Sequence, residues 1–188
     1  MSAVLSVDPS YTGTGLILLD TDTGKVLNQQ LIKTNESLTV IQRVNQIIQE
    51  IKNFTAPVTV LDLRVIEGFS FGSANKAHQM GYLGYRIREY FDYEDEYDCL
   101  VIEPSPNQVK KFATNKTTAG KELIMKEVYK RWGFDTDNNN LSDAYAMAQI
   151  GRAYLGSMDK LTAFQQEVID SLRGKKKAKK VRKKKVKP

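Results

Sequence analysis

One cysteine and one histidine, Cys99 and His78, are all that 188 residues contain of either type. A lone cysteine allows no internal disulfide and no cysteine-cluster zinc site. A lone histidine removes His-rich metal sites and leaves little scope for a histidine base. No apolar run approaches the ~18 residues of a membrane span. The opening residues, Met1-Ser2-Ala3-Val4-Leu5, lack the basic run and cleavage site of a secretory signal. These absences point to a soluble, cytoplasmic protein with no membrane partner. The hydrophobic share is 41%, enough for one domain to bury a core.

Acidic residues are also missing from one stretch. Residues 175–188 hold nine Lys, one Arg and no acid. The other 174 residues carry 18 basic and all 22 acidic residues, a net of −4 within the overall +6. A folded domain over residues 1–173 and a basic tail over 174–188 are expected. Such a tail cannot form a core and is expected to be disordered. Its natural partner is a polyanion, because each phosphate neutralised releases counterions.

Along the domain, Ala3–Val7, Leu16–Leu19 and Val26–Ile32 read as consecutive strands with short turns, an antiparallel meander. Ser37 caps a predicted helix whose stripe is Val40, Ile41, Val44, Ile47, Ile48 and Ile51, and Pro57 ends it. The last part of 58–66 is a strand ending in Glu67. A helix with Met80, Leu83 and Ile87 follows, then a fifth strand within 98–103. Helices are expected over 105–113, 120–132, 141–155 and 161–172. The acidic stretch Tyr90–Asp98 reads as a solvated loop. The sum is an α/β domain with a mixed five-stranded sheet and helices on its faces.

Three acids stand out. Asp8 and Glu67 end strands, and Asp143 opens a helix, each beside apolar residues where an unpaired carboxylate is costly. In α/β sheets, ligands bind outside the carboxyl ends of strands. Gathered carboxylates repel one another unless a cation neutralises them. Mg²⁺ or Mn²⁺ suits oxygen ligands, and two such ions about 4 Å apart support phosphodiester cleavage.

The motifs resemble those of the RuvC-type Holliday junction resolvases. Val7-Asp8-Pro9-Ser10-Tyr11-Thr12-Gly13-Thr14-Gly15-Leu16 is similar to the first motif, and Ile66-Glu67-Gly68-Phe69-Ser70-Phe71 to the second. Pro106-Asn107-Gln108-Val109-Lys110-Lys111 with Gly120-Lys121 resembles the basic third region. Ser142-Asp143-Ala144-Tyr145-Ala146-Met147-Ala148 resembles the final acidic motif. The likeness runs over residues 3–155, and the short, divergent chain looks like a bacteriophage member. It implies a ribonuclease H-like fold, a homodimer and nicking of four-way junctions with two Mg²⁺ ions per site, Mn²⁺ substituting. By position, Asp8, Glu67 and Asp143 are the implied metal ligands. Lys110 and Lys121 are implied to contact phosphate or stabilise transition-state charge.

One position departs from the pattern. The family's second acid, three residues before the last, is Asn140 here. Asn140 offers a neutral oxygen to the metal or, equally, caps the helix; Asp135 or Asp137 could reach in instead. Phe69 and Phe71 are candidate stacking residues for unpaired bases, worth about 1–3 kcal/mol per base, with one of the two expected to pack in the domain. Lys76, Lys111 and Lys116 are further candidate DNA contacts. The helix region 75–91 corresponds to the family's dimer interface, although core packing explains its apolar stripe as well.

Other functions fit parts of the pattern. Asp8 with Thr12-Gly13-Thr14-Gly15 also resembles the phosphate loop of sugar kinases and actin-like ATPases. Those chains need two such domains and a second Gly-rich loop, for which 188 residues leave no room, so no nucleotide cofactor is expected. A junction-binding protein without catalysis, and a nuclease acting on forks and flaps as well, are the remaining alternatives.

Overall fold

The first strand of the chain becomes the middle of the sheet. In the computed structural model, which describes residues 2–69 and 77–174, β1 (Ser2–Asp8) pairs antiparallel with β2 (Thr14–Asp20) and parallel with β4 (Val60–Ile66). β3 (Val26–Ile32) and β5 (Leu100–Ile102) form the edges, giving the order β3-β2-β1-β4-β5. The sheet is mixed, with β1, β4 and β5 parallel and β2 and β3 antiparallel neighbours. Burial on both faces explains why Ala3–Val7 is nearly all apolar.

Helices cover both faces. α1 (Val40–Thr55) and α2 (Ala77–Glu89) pack on one side with Leu5, Val7, Leu16 and Ile66. α3 (Pro106–Thr114), α4 (Lys121–Trp132), α5 (Asn139–Leu155) and α6 (Ala163–Leu172) close the other with Val4, Ile17, Leu63 and Val65. α5 lies against β1, β2 and β4 and is almost wholly buried from Ser142 to Ala153. Ala144, Ala146 and Ala148 keep it slim, and the Ser6 hydroxyl donates to the Ala144 carbonyl at 2.6 Å. Among the described residues, no helix is long and apolar enough to cross a membrane.

Three local expectations need correction. α1 is capped by Thr39, not Ser37: Thr39 and Gln42 form a reciprocal capping box two residues nearer the apolar stripe. α5 begins at Asn139 and is capped by Asn138, whose side chain accepts from the Asn140 and Leu141 amides at 3.0 and 3.2 Å. Asn140 is therefore not the cap.

Tyr90–Asp98 is not simply a solvated loop. Tyr90–Glu94 makes a π-helical turn that buries Tyr90 and Phe91. The buried Arg64 of β4 reaches across to Asp95 at 2.9 Å and donates to the carbonyls of Phe91 and Tyr97. A charge buried in a strand demanded a partner, and the acidic stretch supplies it. Asp92, Tyr93, Glu96 and Asp98 do face solvent. The basic tail from 175 onward lies outside the described residues.

Candidate active site at the carboxyl ends of β1 and β4

Strand parity puts the acids on one face. Val4, Ser6 and Asp8 alternate toward α5, because successive side chains of a strand point to opposite sides. Leu63 and Val65 of β4 share that face, and the same alternation carried one residue past the strand brings Glu67 to it. α5 runs over the same face and delivers Asp143 in its first turns, one residue before the Ala144 carbonyl held by Ser6. Gly15 permits this approach: a Cβ there would run into the Asn140 backbone carbonyl.

The three carboxylates feel one another. Burial holds Asp8 well above the usual carboxylate range, and Glu67 and Asp143 push it further while Lys121 opposes them. Burial raises Glu67 to about 7, with Asp143 adding to the rise and Lys110 opposing it. Asp143 is raised by burial to about 6, against the pull of Lys121 and Lys110. Two lysines thus face three acids in a poorly solvated pocket, and protonation of one acid eases the others.

Lys110 and Lys121 arrive from the middle of α3 and the first residue of α4. With its amide oxygen turned toward Lys121, Asn139 accepts from Nζ at 3.0 Å, tying α4 to the start of α5. The Asn140 amide nitrogen donates to the Gly13 carbonyl and links α5 to the β1–β2 turn. Asp135 and Asp137 stay exposed in the loop before α5. Lys111 turns away from the acids to pair with Glu167 of α6 at 2.5 Å. It shares an open surface with Lys116, Thr117 and Thr118.

Glu67 opens onto a cavity of about 130 Å³ lined also by Pro9, Phe69, Met80, Gly84 and Arg88. Phe69 is half-buried, packed at a tilt of 37° on Tyr85 with centroids 4.8 Å apart. Phe71 and Lys76 lie outside the described residues. Arg88 is a site residue to which sequence reasoning gave no role, lying in the helix region 75–91 read as dimer interface or core packing. Its partner Glu103, just past β5, was the available signal: another acid at a strand end.

The donor set suits a hard divalent cation: crowded carboxylate oxygens, raised by burial and mutual repulsion, which a cation would neutralise. Among the described residues, no group of three or more acidic, His or Cys side chains is arranged to hold a metal ion.

No protein-family model matches the sequence, and no curated protein matches it. Solved structures do. Thermus thermophilus RuvC superposes with a TM-score of 0.64 at 23% identity, over 82% of this chain and 97% of that one. T. thermophilus RuvC in complex with a Holliday junction substrate gives 0.64 at 18% identity, over 92% and 94%. The fold is accordingly ribonuclease H-like: among the described residues, a mixed five-stranded sheet flanked by six α-helices.

Proposed function

We propose that this chain is a divalent-metal-dependent endonuclease that nicks four-way DNA junctions and other branched DNA. The observation that carries the reading is the grouping of Asp8, Glu67 and Asp143 with Lys110 and Lys121 on one face, at the carboxyl ends of β1 and β4. The likeness to RuvC over nearly the whole chain supports the substrate class.

In this reading, Asp8, Glu67 and Asp143 hold two Mg²⁺ ions, or Mn²⁺ in their place. Asn140 contributes at most a neutral oxygen, its nitrogen being engaged by Gly13. Bound divalent ions supply water activation and stabilisation of the leaving oxygen. Lys110 and Lys121 attract the phosphate and balance charge that grows on it as the bond breaks. Phe71 meets unpaired bases where the arms part while Phe69 stays packed in the domain, and Lys76, Lys116 and, further from the cut, Lys111 hold backbone phosphates. A homodimer places two such sites on one junction, and α2, with Tyr82 and Tyr85 exposed, is its contact face.

A junction binder that does not cut is the second reading, favoured by Asn140, which brings no charge where an acid is expected. A nicking assay separates the two. Synthetic four-way junction, fork and linear duplex are incubated with the protein and Mg²⁺ or Mn²⁺, with a chelator as control. Nicks in the junction, fewer in the fork and none in the duplex are expected. A junction that is shifted in a gel but never cut, with either ion, establishes the binder instead.

A further inference from the structure

Past the end of β4, the chain around Glu67 has few holds. The Glu67 amide donates to the Val7 carbonyl at 3.3 Å, and the Gly68 amide to the Pro104 carbonyl at 2.9 Å. Among the described residues, the one side chain gripping the Glu67 backbone is Arg88, near the end of α2, donating to the Glu67 carbonyl at 3.2 Å.

That guanidinium is itself fixed on several sides. It forks onto Glu103, Nε to Oε1 at 2.9 Å and one terminal nitrogen to Oε2 at 2.7 Å. Its other terminal nitrogen donates to the Gly84 carbonyl at 2.9 Å, one turn back on α2. Its plane lies over the Phe69 ring, 4.2 Å from the centroid. Such a fork is directional in a way that an ammonium is not. Arg88 thereby ties α2, the end of β4 and the end of β5 together at the residue that must aim a carboxylate at Asp8 and Asp143.

Gly84 is part of the same device. A Cβ there would stand 2.7 Å from the Phe69 ring and 3.0 Å from the Arg88 guanidinium. Three residues earlier on the same helix, a Cβ at Gly81 would meet nothing within 4 Å.

We propose that Arg88 is a positioning residue that, braced by Glu103 and Gly84, sets Glu67 for divalent-ion binding. The inference rests on the reading of Glu67 as a metal ligand. Arg88 acts through the Glu67 backbone and the packed Phe69 ring.

The test is Mn²⁺ binding to the full chain without DNA, by calorimetry, alongside junction affinity in chelator, melting temperature and cutting rate. Arg88→Lys keeps the charge and loses the fork. It is expected to weaken Mn²⁺ binding about tenfold, the low end for residues that orient ligands, and to raise the ion concentration for half-maximal cutting in proportion. Junction affinity in chelator should stay within twofold of wild type. Gly84→Ala is expected to repeat the defect and Gly81→Ala to bind Mn²⁺ like wild type. Glu103→Gln, which leaves the guanidinium one neutral acceptor in place of the carboxylate fork, should give a smaller loss in the same direction.

Arg88→Lys and Gly84→Ala proteins with wild-type Mn²⁺ affinity overturn the proposal. So does a loss of melting temperature and junction affinity with the Mn²⁺ midpoint unmoved, because that is what a merely structural clamp would give. Wild-type protein that takes up no Mn²⁺ sinks the metal reading of Glu67 itself, a different failure from equal binding by wild type and variants.

Discussion

At the end of the sheet away from the carboxylates, Arg152 donates to the carbonyls of Thr21, Asp22 and Ser157 at 2.7–3.0 Å and to the Gln149 amide oxygen at 3.0 Å. One buried cation there meets four acceptors and locks α5 to the β2–β3 turn. At the other end of α5, three carboxylates crowd a pocket with two lysines, and all three are pushed toward their neutral forms. The same helix is thus pinned where its polar groups are satisfied and strained where they are not. Sequences that fold well match charge to partner throughout, and the sites where that rule is broken are commonly functional. Arg64 and Asp95 show a buried cation elsewhere in the sheet matched with an acid, at 2.9 Å.

The widest separation between the two ends is expected in catalysis. Glu67→Gln should lower junction cutting about a hundredfold or more, ~2.7 kcal/mol in the barrier, measured as the single-turnover nicking rate. Arg152→Ala should leave the rate per folded molecule unchanged. Its effect belongs to stability: several carbonyls lose their donor, and a loss of about 2–4 kcal/mol is expected in urea unfolding. If Arg152→Ala unfolds like wild type, the satisfied end is not what secures α5.

Next in size is a pH effect confined to the carboxylate end. Glu67 and Asp143 are raised in the folded chain to about 7 and about 6, from ordinary values of 4.5 and 3.8. The folded state therefore binds more protons than the unfolded one between those limits, and stability falls as pH rises through them. In chelator, the melting temperature should drop between about pH 4 and 7, and Mg²⁺ should flatten the drop by binding the folded form. A flat metal-free profile would mean that the acids are better solvated than their burial implies.

The smallest effect is expected from the tail. Removing residues 175–188 should weaken junction binding severalfold and lessen its salt dependence, since fewer counterions are released. An unchanged salt slope on a plot of affinity against salt concentration would show that the tail makes no phosphate contact.

Much of this was legible in the chain. The meander, the apolar stripe of α1 and the strand-end positions of Asp8 and Glu67 are local patterns, set by period and turn chemistry. The α1 and α5 caps were displaced because Ser37, Thr39, Asn138 and Asn140 are all competent caps, and only the helix phase against the sheet chooses among them. Tyr90–Asp98 was misread because its acidity signals solvent until the buried Arg64, some thirty residues earlier, demands a partner. Arg88 was hidden for the same reason: its meaning lies in Glu103 and the Glu67 carbonyl, contacts that no spacing encodes. Convergence of the three acids was suggested by their strand-end positions and given a purpose by the resemblance, while the shared face came from strand parity and the placement of α5.

The most direct test of a shared cation site at Asp8 is the Asp8→Asn protein on a four-way junction with Mg²⁺. Asp8 is the most buried of the three acids, and the substitution removes its charge while keeping its shape. Junction affinity equal to wild type with no detectable nicking is the expected result. Full cutting by Asp8→Asn would contradict the account.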